Sequence, residues 1–237
     1  MLKRVDIVGN PNVGIFILTT DDLAIVPYNI LDEKIDIIKE ALDVDIIKSS
    51  VAGSNLVGSL TVANSNGIIL PQLVFEREVE YLKDMGLNVA ILPDKYTALG
   101  NIIAANDNGA IVSPYLSSES IKTIEKTLDV NVESTAICGS DIIGSLITVT
   151  NKGFLVSKNA SEDEVNLARD IFNVEGDIGT VGHGNHLVGA CTISNSNGAI
   201  VAKESTGPEM ARVEEALGFL DDLGCPPKVK FLMKNLF

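Results

Sequence analysis

Three groups of residues in this 237-residue chain have types and spacings that could do chemistry. The first is Gly9-Asn10-Pro11-Asn12-Val13-Gly14, which has the spacing of a phosphate-binding loop up to its second glycine. Such a loop next needs a lysine to reach the β- and γ-phosphates and a serine or threonine to hold magnesium. Ile15 and Phe16 stand there instead, so no nucleotide is expected. The second group is Gly182-His183-Gly184-Asn185-His186, which contains both histidines of the chain, with Cys191 following. A metal needs three or four ligands within reach, and a nucleophilic thiol needs a base beside it. Cys191 lies two positions after Gly189 in an apolar run, which predicts a buried thiol acting as a small hydrophobe. The third group is a set of paired asparagines: Asn64 and Asn66, Asn106 and Asn108, Asn195 and Asn197, each pair followed by glycine. They suit tight turns, and they are also the candidate binding residues. No catalytic residue, metal ligand or cofactor is expected, and no pair of carboxylates stands out as an acid/base couple.

The asparagines belong to a repeat. Gly14, Gly58, Gly100, Gly144 and Gly189 recur at intervals of 44, 42, 44 and 45 residues, and the copies align without gaps from each glycine onward. Gly100-Asn-Ile-Ile-Ala-Ala-Asn106-Asp-Asn108-Gly109 and Gly189-Ala-Cys-Thr-Ile-Ser-Asn195-Ser-Asn197-Gly198 share one frame, while the first and fourth copies read Thr20-Asp21-Asp22-Leu23 and Thr150-Asn151-Lys152-Gly153. Two short apolar runs joined by Asn-Gly predict a hairpin with a type I′ turn. An amphipathic helix follows, as in Leu31, Ile35, Ile38, Leu42 and in Met210, Val213, Leu217, Leu220. Ser161 with Glu164 and Thr206 with Glu209 have the spacing of reciprocal helix caps. Gly86, Gly176 and Gly224 mark expected helix ends. One unit therefore reads strand, turn, strand, helix, strand. The first copy is preceded by Arg4-Val5-Asp6-Ile7-Val8 with no helix of its own, so this strand is expected to complete the fifth unit and close a ring. Residues 225–237, with Lys228, Lys230 and Lys234, form a basic tail outside the repeat.

Bulk composition limits the partners. A net charge of −14 and the absence of tryptophan argue against a nucleic-acid surface, which relies on Lys/Arg to release counterions and on aromatic stacking. A basic protein is the better match. Acidic runs at Asp32-Glu33, Glu162-Asp163-Glu164 and Asp221-Asp222 are expected on solvated helix faces. The three cysteines cannot all pair within the chain, no apolar stretch could span a bilayer, and the N-terminus lacks a secretion signal, so a reduced, cytoplasmic protein of one domain (1–237) is expected.

On Asn12-Val13-Gly14, Ser54-Asn55-Leu56-Val57-Gly58, Ala98-Leu99-Gly100-Asn101, Ala105-Asn106-Asp107 and Gly179-Thr180-Val181, the chain resembles the translation initiation factor six family, in its shorter archaeal form, over essentially its whole length. The resemblance implies the pentein fold, a five-bladed α/β propeller in a closed ring. It implies a non-enzymatic, cofactor-free monomer. Such a factor binds the large (50S) ribosomal subunit against a basic ribosomal protein of the L14 type near the sarcin-ricin loop, with limited rRNA contact, and prevents premature joining of the small subunit; a role in large-subunit biogenesis is also implied. Asn106 matches the family position tied to ribosome binding, and Asn64 and Asn195 follow by symmetry. Guanidine-modifying penteins, which use a Cys and a His from different blades, are the rival class. Here His183, His186 and Cys191 all lie in one copy, and the tight units leave no room for the insertions that build those enzymes' pocket.

Overall fold

The computed structural model describes residues 1–220, arranged as five repeated α/β units. The second unit shows the plan. Strand Val62–Asn64 pairs antiparallel with Gly67–Leu70, the helix Glu76–Asp84 follows, and Val89–Ile91 returns parallel to Gly67–Leu70. The other units place helices at Asp32–Leu42, Ser118–Leu128, Glu162–Phe172 and Gly207–Ala216. Each unit keeps its own three-stranded sheet, and no strand ladder runs from one sheet to the next among the described residues. The fifth sheet takes Leu2–Val5 as its third strand, parallel to Gly198–Ala202 with Leu2 opposite Ala199. The chain's first strand thus completes its last unit, as the missing helix predicted, but it runs over Leu2–Val5 rather than residues 4–8, since Val8 turns to φ 53°.

Each unit buries apolar surface against its neighbour as well as within itself. One cluster joins Ile35, Ile38 and Leu42 of the first unit to Ile193 and Ile200 of the fifth; another joins Leu99, Ile124 and Leu128 of the third to Val62 and Ile69 of the second. A unit of this size has too little surface to bury alone, which is the physical reason for the repetition. Helix starts carry the expected caps: the Ser161 and Thr206 hydroxyls accept from Glu164 and Glu209 N–H groups, and both glutamates reach back to the capping residue's own N–H.

Several expectations change. The five repeat glycines stand just before the first strand of each hairpin. Four lie in single helical turns, Val13–Ile15, Val57–Leu60, Leu99–Ile102 and Ile143–Leu146, and the fifth lies in an equivalent turn at Gly189. They are glycine because of space. A Cβ on Gly58 would overlap the carbonyl oxygen of Gly14, one on Gly100 that of Gly58, one on Gly144 that of Gly100, one on Gly189 that of Gly144, and one on Gly14 that of Gly189. The contacts return to their start, through packing rather than through a closed sheet.

The hairpin glycines are also spatial. Neither Asn66-Gly67, Asn108-Gly109 nor Asn197-Gly198 has positive φ, so these are not type I′ turns. Gly67 instead admits the carbonyl oxygen of Thr127, which would stand 2.7 Å from a Cβ, and Gly109 and Gly198 admit those of Ile171 and Ala41. Each of these three hairpins rests on the last turn of the next unit's helix. Gly176 begins a strand rather than ending a helix, since Asn173 takes the left-handed cap position (φ 52°). The last helix stops at Ala216, with Gly218 at φ 74°. The expected stop at Gly224, the acidic pair Asp221-Asp222, Cys225 and the basic tail 225–237 lie outside the described residues.

Candidate functional site: the turn face

At one end of the five units the hairpin turns converge with the helix C-termini. A helix leaves its last carbonyls without intrahelical partners, and the sequence supplies them from the neighbouring unit. Asn106 Nδ2 donates to Thr150 O (3.0 Å) and to Phe172 O (2.9 Å), while its Oδ1 accepts from the N–H groups of Asn108 and Gly109, both at 3.0 Å. Asn195 repeats this with Thr20 O (3.1 Å) and Leu42 O (2.8 Å), accepting from Asn197 and Gly198. Asn64 does so with Asn106 O (3.1 Å) and Leu128 O (2.8 Å), accepting from Asn66. Asn66, Asn108 and Asn197 donate to the same helix-end carbonyls of Leu128, Phe172 and Leu42. Asn106 is 4% exposed and Asn64 and Asn195 are equally sequestered. Their side chains bind one unit to the next. Asn66, Asn108 and Asn197 are exposed at the same end.

The residue after each leading turn residue links its turn to another. Asp107 accepts from the Ser65 N–H (2.9 Å) and hydroxyl (2.5 Å), and its own N–H donates to Asn151 Oδ1 (2.9 Å). Asn151 Nδ2 bridges Asp107 Oδ2 (2.7 Å) and Asp21 Oδ2 (2.9 Å), and Asp21 accepts from the N–H and hydroxyl of Ser196. All five units therefore join in one hydrogen-bonded rosette that narrows the axial opening to a cavity of about 30 Å³. Behind it, a space of about 120 Å³ lies among Thr61, Thr148, Ser194 and the inner glycines. The sequence carried a signal for these residues that composition hid: the position is polar in all five copies, as Asp21, Ser65, Asp107, Asn151 and Ser196. Outside the rosette, exposed Asp22, Asp43, Asp84 and Asp129 stand near the helix ends, with Lys83, Lys126 and Lys152 among them.

The histidine and cysteine group falls elsewhere in the fifth unit. Cys191 is 1% exposed, donates to Asn12 Oδ1 (3.0 Å) and accepts from Asn185 Nδ2 (3.1 Å). Burial, reinforced by the charge of Glu204, pushes its thiol up to about 11, away from the thiolate a nucleophile needs. His183 and His186 are exposed, and neither is hydrogen-bonded to the thiol. His183 instead sits at φ 65° in a tight loop whose N–H groups, at His183 (3.1 Å) and Gly184 (2.7 Å), point at the Glu209 carboxylate. Burial alone would raise that carboxyl, but hydrogen bonds from Thr206, Gly184 and Thr180 outweigh it and hold the group at about 2. Two-residue loops at Val8-Gly9, Ala52-Gly53 and Cys138-Gly139, with both residues at positive φ, occupy the same place in other units. There lie the positive-φ pairs expected of type I′ turns at the Asn-Gly positions. They explain Gly9 in the phosphate-loop look-alike: it is a hairpin residue at φ 73°.

Fold and site together define a repeat-built α/β scaffold whose polar turns are held by one another and whose thiol is sealed between asparagines. The chain belongs to the eIF-6 family, whose model matches residues 2–216. It is 70% identical over 94% of its length to the whole of translation initiation factor 6 of Methanobrevibacter smithii, and 39% identical over 92% of its length to 99% of translation initiation factor 6 of Pyrococcus horikoshii. Among solved structures it is similar to a dimethylarginine dimethylaminohydrolase, with a TM-score of 0.46 and 14% identity over 80% of this chain and 76% of that one. No helix among the described residues is long and apolar enough to cross a membrane.

Proposed function

We propose that this chain is a translation initiation factor that binds the large (50S) ribosomal subunit by its turn face and so prevents premature joining of the small subunit. The single observation that carries the reading is family membership, with relatives named translation initiation factor 6 matched across their full length. The turn face supports it. Five turns joined in one hydrogen-bonded network form a preorganised docking surface, which lowers the entropic cost of association. Asn64, Asn106 and Asn195 act as positioning residues for that surface, and Asn66, Asn108 and Asn197 with the rosette are its contact residues.

In this reading the factor is a cytoplasmic, cofactor-free monomer, one pentein domain whose five blades close into a ring, with 225–237 as a basic appendage. Its net charge of −14 suits a basic ribosomal protein of the L14 type near the sarcin-ricin loop, with little rRNA contact. Exclusion is steric: a body covering part of the intersubunit face blocks joining without any catalytic group. The same occupancy on a maturing subunit would serve biogenesis.

Gradient sedimentation tests the reading. The wild-type chain is expected to travel with archaeal large subunits and, added before small subunits, to lower the joined fraction. Failure to co-migrate overturns the proposal.

A further inference from the structure

Four of the five boundaries between units are sealed in one way: a glycine at the start of the second hairpin strand (Gly67, Gly109, Gly153 or Gly198) receives the last turn of the next helix. The boundary between the first and second units is built differently. Leu23 stands where the other copies have glycine. As Thr150 does in the fourth unit, the Thr20 hydroxyl accepts from its own hairpin, from Asp22 (3.4 Å) and Leu23 (3.3 Å) N–H groups, where an asparagine amide would reach across to a helix end; the fourth boundary still has Gly153 to receive the next helix, and the first does not. The opposing helix, Glu76–Asp84, has nine residues against ten or eleven in the other units, and ends in Met85-Gly86. With a longer side chain on one side and a shorter helix on the other, a cavity of about 220 Å³ remains open on the turn face, beside the apolar cluster through which the two units pack. Leu18, Ile25, Ile68 and Leu87 form its floor and walls, and exposed Asp22, Ser65 and Asn88 its rim.

We propose that this groove is the anchor site of the turn face, taking one bulky apolar side chain carried on a basic, extended protein segment. The inference rests on the docking reading above. An apolar floor selects the anchor by burial. The carboxylate of Asp22 at the rim, next to Asp21 of the rosette, selects a lysine or arginine beside that anchor and disfavours an acidic segment. The groove is continuous with the rosette through Thr20, Asn64 and Ser65, which border both, so one segment lying across the axis reaches both features.

Two full-chain variants test this against large subunits in the same sedimentation assay, with the unfolding midpoint of each measured alongside. Leu23→Trp fills the groove, and Asp22→Lys, fully on the surface, reverses its rim charge. Each is expected to weaken co-sedimentation by roughly tenfold or more, the effect of losing one hot-spot contact. Leu73→Asp, at an exposed site in the loop before the second helix, is expected to bind as wild type. Wild-type affinity in both groove variants overturns the anchor site while leaving the docking reading standing; failure of the wild-type chain to bind overturns the docking reading instead. If removal of residues 221–237 and the Leu23→Trp change both strengthen binding, the groove is the seat of the chain's own C-terminal segment and the proposal of a partner's anchor falls.

Discussion

Replacing Asn106 separates what an asparagine does for its own turn from what it does for its neighbour. Serine at this position keeps an acceptor for the local N–H groups, as Thr150 shows in the fourth unit, where one hydroxyl accepts from Lys152 (3.1 Å) and Gly153 (3.2 Å). Serine cannot reach Thr150 O and Phe172 O in the adjoining unit. Phe172 O retains the Asn108 amide at 3.1 Å, whereas Thr150 O loses the donor described for it. Two lost hydrogen bonds, one of them leaving a buried carbonyl bare, cost about 2 kcal/mol; Asn106→Ala, which also strips the acceptor from Asn108 and Gly109, costs about 4 kcal/mol. That is well above the roughly 0.5 kcal/mol of an ordinary surface change. Equilibrium urea unfolding followed by circular dichroism reads both variants. At a slope of about 3 kcal/mol per molar, the serine variant should unfold about 0.7 M earlier and the alanine variant about twice that. If Asn106→Ser unfolds with the wild type, the clamp between units is not where stability lies. If it unfolds early yet binds subunits normally when folded, Asn106 acts on docking only through the scaffold.

Gly144→Ala is expected to abolish folding, because the new methyl group would overlap backbone oxygens of Gly100 and Ile103 that cannot move independently, while Gly207→Ala, in open space at a helix start, should raise stability by about 0.5 kcal/mol; soluble yield and thermal melts distinguish them. Glu209, held at about 2 when folded against 4.5 in the reference state, contributes stability fully above pH of about 4.5 and loses it as pH falls toward 2. The contribution is at most about 3 kcal/mol, so Glu209→Gln should lower stability at neutral pH and flatten the acid limb of a stability-against-pH curve; an unchanged slope would refute the assignment. Leu31, at the first helix's cap position with 65% exposure and no side-chain cap, should yield about 1 kcal/mol of added stability when changed to serine, read as a later urea midpoint.

The repeat, the reciprocal caps at Ser161 and Thr206, the completion of the fifth sheet by the first strand and most of the helix faces were legible in the chain; Leu31, exposed at the cap of its helix, and Leu220, exposed beyond the end of the last one, did not join their stripes. The caps and the stripes are local matters, since a cap joins residues three apart and a stripe recurs within four; the distant pairing of the first strand with Gly198–Ala202 was legible only through the repeat. The turns were legible in place and misread in geometry. Asn-Gly normally signals positive φ, yet here the backbone is ordinary and the glycine serves the neighbour's helix. Val8-Gly9, Ala52-Gly53 and Cys138-Gly139, which do take the mirror turn, carry β-branched, small or sulfur residues that give no such signal.

By itself, then, the sequence determined that five like units exist, what each contains and which positions are polar. Tertiary structure alone decided what those polar groups touch. The partners of Asn106 lie 44 and 66 residues away, and those of Asn195 lie 175 and 153 residues away. A side-chain amide looks the same in the sequence whether it faces water or a neighbouring helix. Only the packing of one unit on the next sets which carbonyls are left bare for it, and where Leu23 and a shortened helix leave a groove.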